Sequence, residues 1–366
     1  MTEPGLAHNA LARTALVLIA AVSVAAALSW ASGIVTPLVL ALFFTVLIDS
    51  FARFLQRRVP AIPEWADMPL ALVISALGFA AVVYIVVDNA AAFSTRILSE
   101  GPRLDQALTQ LAALAGVRAP PNVQALIDQI NPGRYLGDFA RAMQSIASGA
   151  VYVLIYSGFL IASRQGFVTK VAALWPDPVE RGSAVDLFYR IRDGVERYLW
   201  IQTVSGGLIA LLSFALMALV GLDNAAFWAF LIFILVFIPV VGGLVAALLP
   251  PLFALVQFTT LWQPVALFAG LQVVFFVVGS ILLPRMQRDG LNIDPVVVLL
   301  SLAFWGAIWG VPGMFLSTPL TVTGIIILAQ FDTSRWLAIL LSGDGAPQGA
   351  ARAPPRLESA SNPQSE

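Results

Sequence analysis

Asn224–Gln257 reads NAAFWAFLIFILVFIPVVGGLVAALLPPLFALVQ, an apolar run broken near its middle at Ile238-Pro239-Val240-Val241-Gly242-Gly243. A second run, Val296–Gln330, is broken at Trp309-Gly310-Val311-Pro312-Gly313. Each holds about 34 residues, whereas two crossings of a bilayer need roughly 40 plus a turn and one straight crossing needs about 20. With about four residues spent on the break, each arm keeps about 15, or roughly 22 Å of helix against a hydrocarbon core of about 30 Å. The length predicts a helical hairpin that enters the membrane, turns inside it and leaves on the same side. Two interrupted segments in corresponding positions mark the binding region of a transporter.

The rest of the composition agrees with a membrane protein. The chain is 59% hydrophobic and 11% charged, with a mean hydropathy of +0.87, where a soluble domain carries about 25% charged residues. A formal net charge of −1 offers no basic track for nucleic acid. The chain has no cysteine, which excludes disulfides, thiolate metal sites and cysteine nucleophiles. Its single histidine, His8, lies in a polar N-terminal stretch. No metal site and no cofactor is expected. No phosphate-binding Gly-x-x-x-x-Gly-Lys-Ser/Thr loop, Gly-x-Ser-x-Gly or His-Glu-x-x-His occurs, so the reading is of a non-enzyme.

Outward from the two breaks, the chain divides into a tail (1–13), scaffold spans one to three (14–87), a helical domain outside the bilayer (88–145), a fourth span with an amphipathic connector (146–197), a transport domain (198–342) and a disordered tail (343–366). Thr14–Trp30 could also serve as a signal peptide, with small residues at Ala25-Ala26-Ala27-Leu28-Ser29. The apolar segment that follows within a few residues favours a retained pair of spans. Asp177-Pro178 predicts a capped helix start, Asp capping and Pro at the first helical position, with a membrane-surface elbow before the fifth span, Tyr198–Val220. The fold class expected is all-α: six full transmembrane helices plus two re-entrant hairpins.

Positive charge sets the orientation. Stretch 52–67 holds Arg53, Arg57 and Arg58, and stretch 164–197 holds six Lys/Arg. Placing both inside puts the two termini in the cytoplasm. The first hairpin then enters from outside and the second from inside. Stretches 198–257 and 264–330 become an inverted repeat, each one full span followed by one hairpin.

Helix breaks free backbone N–H and C=O groups that lipid cannot satisfy, so they belong where they line a wet cavity or are buried in protein. The candidate solute pathway is therefore Pro239, Gly242, Gly243, Gly310, Pro312 and Gly313. An ordinary proline kink in tightly packed helices is the competing reading. Gln202 and Gln272 are amides within spans, fit either for helix-to-helix bonding or for solute contact. Trp305 and Trp309 lie four apart on one helix face, near a tip and too deep for an interfacial belt; they wall or gate the pathway, or pack the core. Acids within a membrane are functional candidates, and Asp294 and Asp49 are the ones placed to couple ions, with Arg285 near enough in sequence to pair with Asp294.

These residues carry a resemblance. Ile238-Pro239-Val240-Val241-Gly242, Leu283-Pro284-Arg285-Met286, Asp294-Pro295-Val296-Val297-Val298-Leu299-Leu300, Trp309-Gly310-Val311-Pro312-Gly313-Met314, Thr318-Pro319-Leu320 and Phe331-Asp332-Thr333-Ser334-Arg335 occur in this order. Over about 14–342 the chain resembles the autoinducer-2 exporter family of bacterial transporters. That resemblance implies a multi-pass protein of the bacterial plasma membrane, a homo-oligomer (a pentamer), and export of a small polar signalling molecule or sodium/proton exchange. The chain departs from the family pattern at Val278, where members often carry Glu, and at Ser280, Val236 and Asp294. The function expected is a secondary transporter of a small, weakly charged or polar solute. A sodium or lithium/proton antiporter and a non-transporting membrane scaffold are the alternatives.

Overall fold

The computed structural model describes residues 4–58, 63, 66–78, 80–81, 84, 132–287 and 292–346. The 88–145 domain therefore lies outside the described residues up to 131, as does the tail beyond 346.

Every regular element among the described residues is helical. They are α1 Pro4–Trp30, α2 Ser32–Arg58, α3 Asp67–Gly78, α4 Pro132–Leu174, α5 Pro178–Val220, α6 Ala225–Leu235, α7 Val241–Gln257, α8 Trp262–Phe276, a π-helical segment Val277–Leu282, α9 Leu283–Gln287, α10 Pro295–Leu328 and α11 Arg335–Leu341. Four are long and apolar enough to cross a membrane by length and composition: Ser32–Arg58, Pro178–Val220, Trp262–Met286 and Pro295–Leu328. The first, third and fourth expected spans correspond to shorter apolar helices, Ile19–Trp30, Asp67–Gly78 and Ser148–Ser163.

Helix α5 is the spine. Asp177 caps it by accepting from the Val179 and Glu180 amides, with Pro178 in the first turn, as the Asp-Pro sequence predicts. The elbow expected ahead of the fifth span is not there. The backbone turns at Trp175–Asp177 and then stays helical to Val220. The charged half and the apolar half are one rod, because nothing between them removes a backbone donor. At 43 residues it is about 65 Å long, more than twice the hydrocarbon core. The amino end of α1 differs in the same way, since Pro4 starts the helix well before the apolar run at Thr14.

Two apolar clusters grip the spine at different heights. In one, Val195, Tyr198 and Leu199 pack with Phe43 of α2 and Trp309 and Leu316 of α10. In the other, Ile209 and Met217 pack with Phe227 and Ile232 of α6, Phe253 of α7, Leu267 and Leu271 of α8 and Val278 of the π segment.

Both predicted breaks are chain reversals. The turn 236–240 folds α7 back against α6. Its base is closed by Gln257, which accepts from the Asp223 amide at 2.9 Å and donates to the Gly221 carbonyl at 2.9 Å. The unit thus begins and ends at the same place. α10 is two helices meeting at Gly310, whose φ 64 and ψ −140 are not helical. Residues eight apart in a straight helix lie about 12 Å apart along the axis, yet a β-carbon on Gly313 would stand 2.0 Å from the Trp305 carbonyl oxygen. At the base of this second unit Ile293 and Leu328 share one cluster with Ala329 and Leu341.

Candidate functional site

The two reversals use the same device. A β-carbon on Gly242 would sit 1.7 Å from the Leu235 carbonyl oxygen, and one on Gly313 would sit 2.0 Å from that of Trp305. In each case a glycine after the turn stands where a β-carbon would run into a main-chain carbonyl of the entering arm, a position only glycine can hold. The backbone between is irregular in both. Val240 has φ 60 and ψ −62, and the Val241 amide reaches back to the Pro239 carbonyl at 2.6 Å. That is a γ-turn, and a β-branched residue in it is a true outlier. Gly310 occupies the corresponding irregular position in the second unit. The turn residues Val240 and Val311 are 62% and 64% exposed, so both turns lie at the surface of the chain.

The tips touch. Phe237, in the first turn, stacks on Phe315, two residues beyond Gly313, with ring centroids 5.2 Å apart and planes within 17°. Phe237 also meets Phe233 edge-on at 5.5 Å. This stack is a direct contact between the first turn, which holds Pro239, and the segment that follows Gly313. Sequence reasoning did not single out the Phe237–Phe315 pair, because a phenylalanine in an apolar run carries no mark of a distant partner.

Side chains tie each tip to a different helix. The Gln202 amide nitrogen donates to the Val236 carbonyl at 2.6 Å, joining α5 to the first turn. The Trp309 indole donates to the Leu28 carbonyl at 3.2 Å, joining the second tip to α1. Trp305 and Trp309 contact one another with ring centroids 5.0 Å apart. Trp309 is buried, and Trp305 is half-buried. Gln272 stands apart, exposed on α8. Beside the first tip, the π segment places Val278 and Leu282 in the same cluster as Leu235 and Val236. π-helical turns recur at functional sites, and Pro284, just beyond this one, has no N–H to return to the Ser280 carbonyl within it.

The two candidate coupling acids lie elsewhere. Asp294 spends its carboxylate on the Val296 amide at 2.8 Å as the cap of α10. Among the described residues it forms no ion pair with Arg285. Asp49 is 8% exposed and binds the guanidinium groups of Arg53 and Arg192. Arg53 also pairs with Glu196 at 2.7 Å, and the Ser50 hydroxyl donates to the same carboxylate at 2.5 Å. This network joins Asp49 and Ser50, at the end of the apolar span 33–51 of α2, to Arg192 and Glu196 in the charged half of α5, just before the apolar span 198–220. Burial works to raise the Glu196 carboxyl, but the bonds from Ser50 and Arg53 and the charges of Arg53 and Arg192 outweigh it and hold the group below its ordinary value. Among the described residues no group of three or more His, Cys, Asp and Glu could hold a metal ion.

Comparison with known proteins places this architecture. The model of a family described as AI-2E family transporters matches residues 16–332. The AI-2 transport protein TqsA of Escherichia coli K12 is 28% identical over 322 residues, covering 86% of this chain and 90% of that protein. A Haemophilus influenzae protein, provisionally named for transport, is 26% identical over 340 residues, covering 90% of this chain and 96% of its own length. YhhT of E. coli K12, provisionally named in the same way, is 26% identical over 329 residues, covering 87% and 90%.

Proposed function

This chain belongs to the AI-2E family of transporters, and we propose that it is a secondary exporter of a small polar solute that works by moving its two helical hairpins. The chain is a multi-pass membrane transporter of the bacterial inner membrane. In our reading 225–257 and 295–328 are re-entrant hairpins that dip from opposite leaflets, with both termini in the cytoplasm. Stretches 198–257 and 264–330 are inverted repeats within a transport domain at 198–342, set against a scaffold of spans within 14–87 and 146–163. The assembly is a homo-oligomer, a pentamer by family resemblance. The solute resembles autoinducer-2, the molecule after which the E. coli relative is named.

One observation carries this reading: two irregular turns meet through Phe237 and Phe315. Non-helical backbone within a membrane calls for a wet cavity or a protein partner. Helix starts just beyond a turn orient N–H groups towards an oxygen-rich solute. Pro239, Gly242, Gly243, Gly310, Pro312, Gly313, Gln202, Trp305 and Trp309 form the pathway in this reading, with Gln272 at its edge or on a neighbouring subunit. Because the Asp49 network fixes the foot of α5 to α2, the hairpins move while that foot stays with the scaffold.

Solute export is favoured over sodium/proton antiport by the state of the acids. Asp49 is held between two arginines, and Asp294 is engaged as a helix cap. The test is efflux of autoinducer-2 from proteoliposomes containing the whole chain. Gly243→Trp, whose side chain would project towards Phe275 beside the first tip, should abolish efflux while the protein still inserts. Efflux unchanged by Gly243→Trp, or sodium-driven proton movement without solute efflux, would overturn the proposal.

A further inference from the structure

We infer that Phe237 and Phe315 form the gate of the solute pathway, a stacked pair that closes the gap between the hairpin tips and parts in each transport cycle. The inference rests on the carrier reading above and assigns a moving part within it.

Three observations lead there. First, the stack is a direct side-chain bridge between the two turns, with centroids 5.2 Å apart and planes within 17°. Second, the other ties of the tips run to helices outside the hairpins: Gln202 of α5 holds the Val236 carbonyl, and Trp309 holds the Leu28 carbonyl of α1. Each tip is thus anchored by a hydrogen bond to its own support, while the contact found between the tips among the described residues is one of ring faces. Separating a hydrogen-bonded contact in a membrane strands a donor or an acceptor. Separating two phenyl rings strands neither, so the stack is the contact able to open and close repeatedly.

Third, polar groups lie behind the rings. Phe315 packs against the cluster that contains Tyr198 and Trp309. The Tyr198 and Thr318 hydroxyls are both buried, and neither has a hydrogen-bond partner among the described residues. Tyr198 and Gln202 lie one helical turn apart on α5, both buried. A small solute with hydroxyl or carbonyl groups could bond to this lane once the rings part. Until then the rings keep it closed.

The chain has no cysteine, so one introduced thiol reports water access without background. Thr318→Cys, a change at a buried hydroxyl of the lane that anchors neither tip, is placed in lipid vesicles, and its reaction rate with a membrane-impermeant methanethiosulfonate is measured with the Phe pair intact and with Phe237→Ala plus Phe315→Ala. Removing the pair should raise the rate at least tenfold. Phe253→Ala, which removes the ring packed on Trp228 near the base of the first hairpin, controls for general loosening and should leave the rate within twofold. The inference is overturned if the double variant leaves the rate unchanged, or if Phe253→Ala raises it equally. Autoinducer-2 efflux from the same vesicles is scored separately. A tenfold access change without efflux in any variant keeps the gate and removes the proposed solute, whereas efflux with no access change keeps the carrier and removes the gate.

Discussion

Gly242 and Gly243 are neighbours, yet the structure predicts opposite outcomes for the same substitution. A β-carbon at Gly242 would lie 1.7 Å from the Leu235 carbonyl oxygen and 2.7 Å from its carbon, against a floor of 3.0 Å for real contacts. The carbonyl would have to retreat by about 1.3 Å, and it is main chain, so no rotamer change relieves it. It also accepts the Ile238 amide at 2.9 Å, a bond that closes the turn. Overpacking of this kind costs about 1–3 kcal/mol, and a lost turn bond adds about 1 kcal/mol. Gly242→Ala should therefore cost about 2–4 kcal/mol, roughly 30- to 900-fold in the folding equilibrium. At Gly243 the new carbon would meet Phe275 at 3.7 Å, an ordinary contact, and the cost should stay below about 0.5 kcal/mol. Unfolding midpoints in lipid nanodiscs give the comparison. If Gly242→Ala is as stable as Gly243→Ala, the close approach at the first tip is wrong and the reversal is not held as described.

Three further outcomes follow from the same geometry. Gln202→Leu strands the Val236 carbonyl and should cost about 1–3 kcal/mol, seen as faster amide exchange over 236–243 without change at the second tip. Trp309→Phe loses the bond to Leu28 and should cost about 1 kcal/mol. Trp305, for which no hydrogen bond is found among the described residues, should tolerate Phe with less than half that loss, both read from thermal midpoints. Because Glu196 is held below its ordinary value in the folded protein, its contribution is full above the unfolded-state value of about 4.3 and fades as pH falls through the lower folded value. Glu196→Gln should remove that acid-side step from the stability curve, and an unchanged curve would contradict the network described.

The positions of both reversals were legible because proline and glycine remove donors or side chains at fixed places, and lipid magnifies the consequence. The start of α5 was legible for the same reason, in Asp177-Pro178. Its unbroken course was not: the change from charged to apolar composition at about residue 198 suggests a joint, although composition alone breaks no hydrogen bond. The π segment had a local signal that went unread: Gly279 lies within it, and Pro284 just beyond it has no N–H to return to the Ser280 carbonyl. Asp49 reads in sequence as an isolated acid at the end of a span. Its partner Arg192 is 143 residues away, a pairing that no local pattern encodes. The Phe237–Phe315 stack escaped notice in the same way, among 23 phenylalanines.

The central claim is that two chain reversals meet inside the membrane. Spin labels on Val240→Cys and Val311→Cys, singly and together in lipid vesicles, test it most directly. Both labels should lie in the middle third of the roughly 30 Å hydrocarbon core, reachable by a water-soluble relaxant and strongly coupled to one another. Labels found at headgroup depth, or on opposite faces with no mutual coupling, would contradict the account.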